Sequence, residues 1–244
     1  MSASSPIDWS RITLVVFDID GTLYAQRPLR MRMAASLARH SIRTRSMLEL
    51  AVLRSYRTLR ERYGDQETED FGPVLIDSVA RRHGCDPTRV AAIVEEWINV
   101  RPLEFLARHR YPELDRLFGR IRASGRAIGV LSDYPAQAKM DALGLRADHV
   151  VTADDVGMLK PHPRGLERVM ELAGVSAERT VLIGDRAERD GEAARRAGAA
   201  SLLRSTRPIA GALTFARYDD PIFVGLDTGP VDRSPDYSSV VKHA

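Results

Sequence analysis

The chain has 244 residues, 44% of them hydrophobic and 28% charged, an ordinary globular composition with ample material for a core. Its net charge of +3 is too small to imply nucleic-acid binding, and no apolar run approaches the roughly 18 to 20 residues that span a bilayer. Cys85 is the only cysteine, which excludes an internal disulfide and argues against a cysteine-based zinc site.

The opening stretch, MSASSPIDWSR, lacks a basic start followed by apolar residues, so a cytoplasmic protein without a membrane partner is expected. The first predicted strand, Thr13–Phe17, runs straight into Asp18 and Asp20. Side chains in a strand alternate faces, so continued extension would point both carboxylates the same way. Two like charges held that close are costly unless a cation, a proton or a reacting group neutralises them. The competing reading is a strand that ends in an ordinary Asp-Gly turn.

From Arg27 to Phe118 there is little strand pattern but repeated helical spacing, as in Met47/Leu50/Ala51 and Val90/Ile93/Val94/Trp97. Asp86 is placed as an N-cap with Pro87 at the first helical position. A block of roughly 90 residues is too long for a crossover. Residues 27–118 are therefore expected to form an inserted α-helical cap domain, with residues 1–26 and 119–244 forming the core. Arg27 to Arg62 holds ten arginines and two glutamates. Either the chain's preference for arginine (33 Arg against 3 Lys) simply populates solvated helix faces, or the block is an anion-attracting surface over a site. Tyr56 is its only aromatic residue, unlike the interleaved aromatics of single-strand binders, and no nucleic-acid partner is expected.

Four further β-branched apolar runs follow: Ala127–Leu131, His149–Thr152, Thr180–Ile183 and Ala200–Leu203. Helical segments between them end at Gly144, Gly174 and Gly198. The alternation predicts an α/β fold, a Rossmann-like parallel sheet with helices over its faces. Such sheets bind ligands beyond the carboxyl ends of their strands, where Asp18, Ser132 and Asp185 fall. After Arg204, the apolar run PIFVGL either adds an edge strand or contacts a second subunit, which leaves a homodimer open. The last ten residues are expected to be loosely ordered.

Four motifs now line up: DIDGTLY (Asp18, Asp20, Thr22), VLSDY (Ser132), LKPHP (Lys160) and IGDRAERD (Asp185, Asp190). In this order they resemble the haloacid dehalogenase superfamily, in its phosphatase branch with a helical cap inserted after the first motif. The resemblance implies a Mg²⁺-dependent phosphatase acting on a small phosphorylated metabolite. Asp18 would be the nucleophile that becomes an aspartyl-phosphate. Asp20 would be the acid/base, with a pKa raised by neighbouring carboxylates. Asp18, Asp185 and the Asp20 carbonyl would hold Mg²⁺, with Asp190 orienting metal-bound water. Thr22, Ser132 and Lys160 would contact the phosphoryl oxygens. Dehalogenases of the family lack an acid/base aspartate at the position of Asp20, which favours phosphoryl transfer. A phosphomutase, or a catalytically weak binding protein on the same scaffold, is the alternative.

The family commonly has Asn where this chain has Asp133, and alternation with Ser132 suggests that Asp133 faces away. His162 is read as a structural histidine, and Arg186 is left without a role.

Overall fold

The computed structural model describes residues 7–230. Its centre is a six-stranded, wholly parallel sheet in the order β3-β2-β1-β4-β5-β6. The strands are β1 (Leu14–Phe17), β2 (Ala127–Ser132), β3 (His149–Thr152), β4 (Thr180–Gly184), β5 (Ala200–Arg204) and β6 (Thr214–Phe215). The five predicted strands are present, each within about a residue of its expected ends.

β1 is a continuous apolar run because both of its faces are covered. Val15 and Phe17 join the larger core cluster, while Leu14 and Val16 pack on the opposite face with Leu166, Val169 and Ala193. Phe17 lies in register with Val130 of β2 and Ile183 of β4. The chain therefore leaves β1 between two diverging connections, the crevice in which a parallel sheet places its ligand.

Between β1 and β2 come six helices: α1 (Gln26–Thr44), α2 (Leu48–Asp65), α3 (Phe71–His83), α4 (Pro87–Val94), α5 (Leu103–His109) and α6 (Leu114–Ala123). Asp86 caps α4 as the sequence predicts, its side chain accepting the Thr88 N–H at 2.8 Å. α4 runs into a wider π-type turn, Glu95–Val100, that carries the apolar stripe onward, so Val90, Ile93, Val94 and Trp97 are all buried. α6 lies against the sheet, where Phe118 stacks on Phe17 with ring centroids 4.8 Å apart. The later connections carry α7 (Gln137–Leu143), α8 (Ala153–Val156), α9 (Arg164–Ala173) and α10 (Glu192–Ala197).

The segment PIFVGL is not a strand. Pro221–Phe223 form a short 3₁₀ turn capped by Asp220, and Ile222, Phe223 and Leu226 are buried against Trp9 and Phe215. Proline at 221 supplies no ladder N–H and favours that turn start. The edge strand forms earlier, at Thr214–Phe215, pairing with β5. Arg126 ties the tail down from within, donating to the carbonyls of Trp9, Ile12, Leu226 and Thr228. The expectation for the last ten residues lies outside the described residues.

Candidate active site

Asp18 leaves β1 at its carboxyl end, its N–H donating to the Ile183 carbonyl of β4 at 2.8 Å. Its carboxylate is buried and accepts two donors: Lys160 Nζ at 2.6 Å on Oδ1 and Thr22 Oγ1 at 3.0 Å on Oδ2. Lys160 sits between two carboxylates, with Asp190 Oδ1 also at 2.6 Å. The other Asp190 oxygen accepts the backbone N–H groups of Asp185 and Arg186 at 3.1 and 3.0 Å, which fixes the loop after β4. A Cβ on Gly184 would lie 2.3 Å from Asp190, so glycine makes room for that inward carboxylate.

Oxygens of Asp18, Asp185 and Asp190 lie within 4.8 Å of one another. Burial pushes Asp18 well above the usual carboxylate range; Lys160 opposes this, while Asp190, Asp185 and Asp20 add like charge. Asp185 is pushed up to about 6 by burial and then by Asp190. Three carboxylates against one ammonium leave two negative charges uncompensated. Arg186 offsets them only in part, because its guanidinium is also held by Glu61 and Glu188. Hard oxygen donors with a two-charge deficit fit a divalent cation such as Mg²⁺. Gly21 belongs to the same construction: its φ is +95°, and an added Cβ would lie 2.1 Å from Asp185 Oδ2.

Asp20 projects beside this cluster, and its surroundings differ from the sequence expectation. Both carboxylate oxygens lie 2.7 Å from Lys139 Nζ on α7, and Oδ1 also accepts the Tyr24 hydroxyl. Burial alone would raise its pKa, but Lys139 and the Tyr24 hydroxyl together hold it below the usual carboxylate range. The expected raised pKa is thus overturned by a cation that the motifs do not include. Tyr24 in turn is pushed up, by burial and by Asp20.

Lys139 was legible in one respect. The chain has three lysines among 36 basic residues, and the two within the described residues, Lys139 and Lys160, are both buried on site carboxylates. Lysine rarity singles out Lys160 in the sequence, and the same signal applies to Lys139.

Ser132 ends β2 and is buried, its hydroxyl accepting the Tyr134 N–H at 3.2 Å. Asp133 does not face away. Its Oδ1 accepts the Lys160 backbone N–H at 3.1 Å, and its carbonyl accepts Arg60 from α2. The additional carboxylate thereby positions the loop that delivers Lys160. His162 Nδ1 accepts the Arg164 N–H at 3.2 Å, a local structural contact at the start of α9. Arg189 has its own anchors, donating to the Lys160 carbonyl at 2.8 Å and to Asp65 of α2 at 2.6 Å.

Residues 12–198 match the haloacid dehalogenase-like hydrolase family, and the chain belongs to that family. It is 28% identical over 197 residues to a glyceraldehyde 3-phosphate phosphatase of Methanopyrus kandleri, covering 77% of this chain and 81% of that protein. It is likewise 28% identical over 218 residues to a phosphoglycolate phosphatase of Rhodospirillum rubrum, covering 84% and 86%. Among solved structures, a 2-haloacid dehalogenase from Pseudomonas syringae superposes with a TM-score of 0.61 at 21% identity, covering 85% of this chain and 95% of that one. This last likeness bears on the fold. Among the described residues, no helix is long and apolar enough to cross a membrane.

Proposed function

We propose that this chain is a Mg²⁺-dependent phosphatase that hydrolyses a small phosphorylated metabolite through an aspartyl-phosphate on Asp18. The observation that carries the reading is the pairing of a buried, donor-held carboxylate, Asp18, with a second carboxylate two residues on whose partners are wholly different. Paired carboxylates in separate environments suit a nucleophile and an acid/base, and a divalent cation beside Asp18 would offset the burial that raises it and favour the ionised form needed for attack. The curated relatives, both phosphatases, support the same assignment.

In the first step an Asp18 oxygen forms a bond to phosphorus as the ester P–O bond breaks, and the leaving oxygen takes a proton from Asp20. An arriving phosphate ester brings negative charge beside Asp20, which raises its pKa and favours the protonated form needed here. In the second step ionised Asp20 takes a proton from water, whose oxygen attacks phosphorus and releases Asp18 and inorganic phosphate. Lys160, Ser132 and Thr22 donate toward the transferring oxygens. When bound, Mg²⁺ would be held by Asp18, Asp185 and the Asp20 carbonyl, with Asp190 orienting the site, and would supply charge neutralisation for the phosphoryl group. Helices within residues 27–118 act as the cap that excludes bulk water, with the described parts of residues 1–26 and 119–244 as the core.

The test is phosphate release from a panel of phosphomonoesters, with Mg²⁺ and with chelator, for wild type and Asp18→Asn. Metal-dependent release that disappears in the variant, with an acid-trapped phosphoryl adduct on Asp18, is expected. Release that persists in Asp18→Asn would refute the covalent route. No release from any ester would refute the phosphatase reading in favour of a mutase or a binding protein.

A further inference from the structure

Asp20 opens onto a cleft that residues of α1, α2, the Glu95–Val100 turn and α5 complete. The cleft measures about 540 Å³ including the part open to solvent, and is bounded by Asp20, Tyr24, Arg30, Arg57, Trp97 and Lys139. If Asp20 serves the leaving oxygen, as the phosphatase reading requires, the rest of the leaving group runs into this cleft. Arg30 lines both the cleft and the space above Asp18, so the two compartments are continuous.

The charges in the two compartments are balanced differently. On the Asp18 side the arginines other than Arg30 are occupied within the protein: Arg60 by the Asp133 carbonyl and Tyr56, Arg186 by Glu61 and Glu188, Arg189 by Glu61 and Asp65. In the cleft, Lys139 and Asp20 neutralise each other. Arg30 and Arg57 are left over. Both are exposed, and neither makes a hydrogen bond or ion pair with any described residue. They also act on one another: partial burial, together with the like charge of Arg30, holds the Arg57 pKa below the usual arginine value. Two like charges facing one small space are unfavourable until an anion enters between them. A guanidinium pair matches the planar oxygens of a carboxylate or the oxygens of a phosphate. Met33, Trp97 and Leu106 give the cleft an apolar wall alongside these charges.

We infer that the cleft selects phosphate monoesters whose alcohol portion carries a second oxyanion, bound by Arg30 and Arg57. The inference rests on the phosphatase reading for the direction of the leaving group. It also separates the relatives' substrates, favouring an acid such as phosphoglycolate over a neutral aldehyde.

The experiment compares three probes: phosphoglycolate, the neutral isostere 2-hydroxyethyl phosphate, and ethylene glycol bisphosphate. Turnover is measured with wild type, Arg30→Gln and Arg57→Gln, and binding is measured by calorimetry on Asp18→Asn and its double variants with each glutamine substitution. Wild type is expected to favour at least one charged probe over the isostere by about ten- to hundred-fold in KM, the worth of charge-assisted hydrogen bonds. Each arginine variant should remove that preference, raising KM for the favoured charged probe at least about ten-fold more than KM for the isostere. Preference for phosphoglycolate would identify the oxyanion as a carboxylate, and preference for the bisphosphate as a phosphate. Equal KM values for charged and neutral probes in wild type would overturn the inference while leaving the phosphatase reading standing. An equal rise for both in the variants would overturn it too, by placing the arginines on the transferred phosphate. If no probe turns over, calorimetry decides: tighter, arginine-dependent binding of a charged probe upholds the anion cleft and refutes only the phosphatase reading, and its absence refutes both.

Discussion

Replacing Lys139 by methionine would leave the Asp20 carboxylate buried against Tyr24 with no cation to offset its charge. The two side chains are only 7% and 14% exposed, so the pair is largely out of water. Removing one member of a buried pair costs about 3–5 kcal/mol, chiefly because the other charge is stranded. Asp20 keeps the Tyr24 hydroxyl as a donor and retains some solvent contact, which puts the expected loss at the low end, about 3 kcal/mol. Asp20→Asn strands the ammonium instead, and Asp20→Asn/Lys139→Met strands nothing. Urea unfolding of all four proteins, in chelator so that metal binding does not enter, should therefore give a coupling of about 2–3 kcal/mol. The sign with pH is fixed by the direction of the Asp20 shift. Its folded pKa is lowered, so the contribution is complete above the unfolded value of about 3.9 and fades as pH falls through the folded value. The coupling should be largest near about pH 7 and already smaller at about pH 5, because burial raises the pKa of the stranded Asp20 in Lys139→Met and lets it take up a proton. Additivity within about 0.5 kcal/mol at pH 7, or a coupling that grows on acidification, would refute the account of how Asp20 is held.

Gly21→Ala places a methyl 2.1 Å from Asp185 Oδ2 in a backbone conformation that alanine resists, so stability should fall by about 1–3 kcal/mol and Mg²⁺ affinity by about ten-fold or more. An unchanged Mg²⁺-induced shift in Tm would show that Asp185 is free to move. Asp185 itself, with a pKa of about 6, should make Mg²⁺ binding pH-dependent. The metal requires the ionised carboxylate, so the Mg²⁺-induced rise in Tm should be larger at about pH 7.5 than at about pH 5.5. A raised carboxyl pKa also has the opposite linkage to that of Asp20. In chelator this group lowers stability as pH rises from about 4 to about 6, because over that range the unfolded state has released a proton that the folded state still holds. A Mg²⁺ effect that is flat across that range would remove Asp185 from the metal site.

The sheet was legible because each strand buried on both faces is an uninterrupted apolar run, and the residues that end those runs are the polar ones the site uses. Asp18, Ser132 and Asp185 follow from that rule alone. What the sequence obscured were contacts between distant elements. Lys139 lies 119 positions from Asp20, and nothing local marks it as a partner. Asp133 illustrates the limit of alternation: β2 ends at Ser132, so the next side chain is no longer governed by the strand's two-residue period and turns toward Lys160. In the tail, an apolar run of six residues suited a strand as well as a buried turn, and proline at its start decided for the turn. The arginine block was ambiguous for a similar reason. Spacing cannot tell which guanidiniums find partners, and the ten divide among surface positions, structural anchors and the two that face the cleft.

Arg60 is the anchor that connects the block to the chemistry. It is buried, stacks over Tyr134 and Phe71 at 4.5 and 4.7 Å from their ring centroids, and donates to the Asp133 carbonyl and the Tyr56 hydroxyl. One side chain of α2 therefore holds the loop that follows Ser132 and, through the Asp133 carboxylate, the backbone of Lys160. Lysine would keep the charge but lose the planar stacking and the fork. Because Arg60 acts on the residues proposed to hold the phosphoryl group, Arg60→Lys should lower kcat by about ten- to hundred-fold for every phosphate ester, whatever its leaving group. That pattern is the converse of the one expected from Arg30 and Arg57, whose loss should be felt in KM and only by charged leaving groups. Steady-state kinetics on a charged and a neutral ester distinguish the two directly. A loss in Arg60→Lys confined to the charged ester would mean that α2 presents a single anion-binding face, and the division between anchoring and recognising arginines would fall.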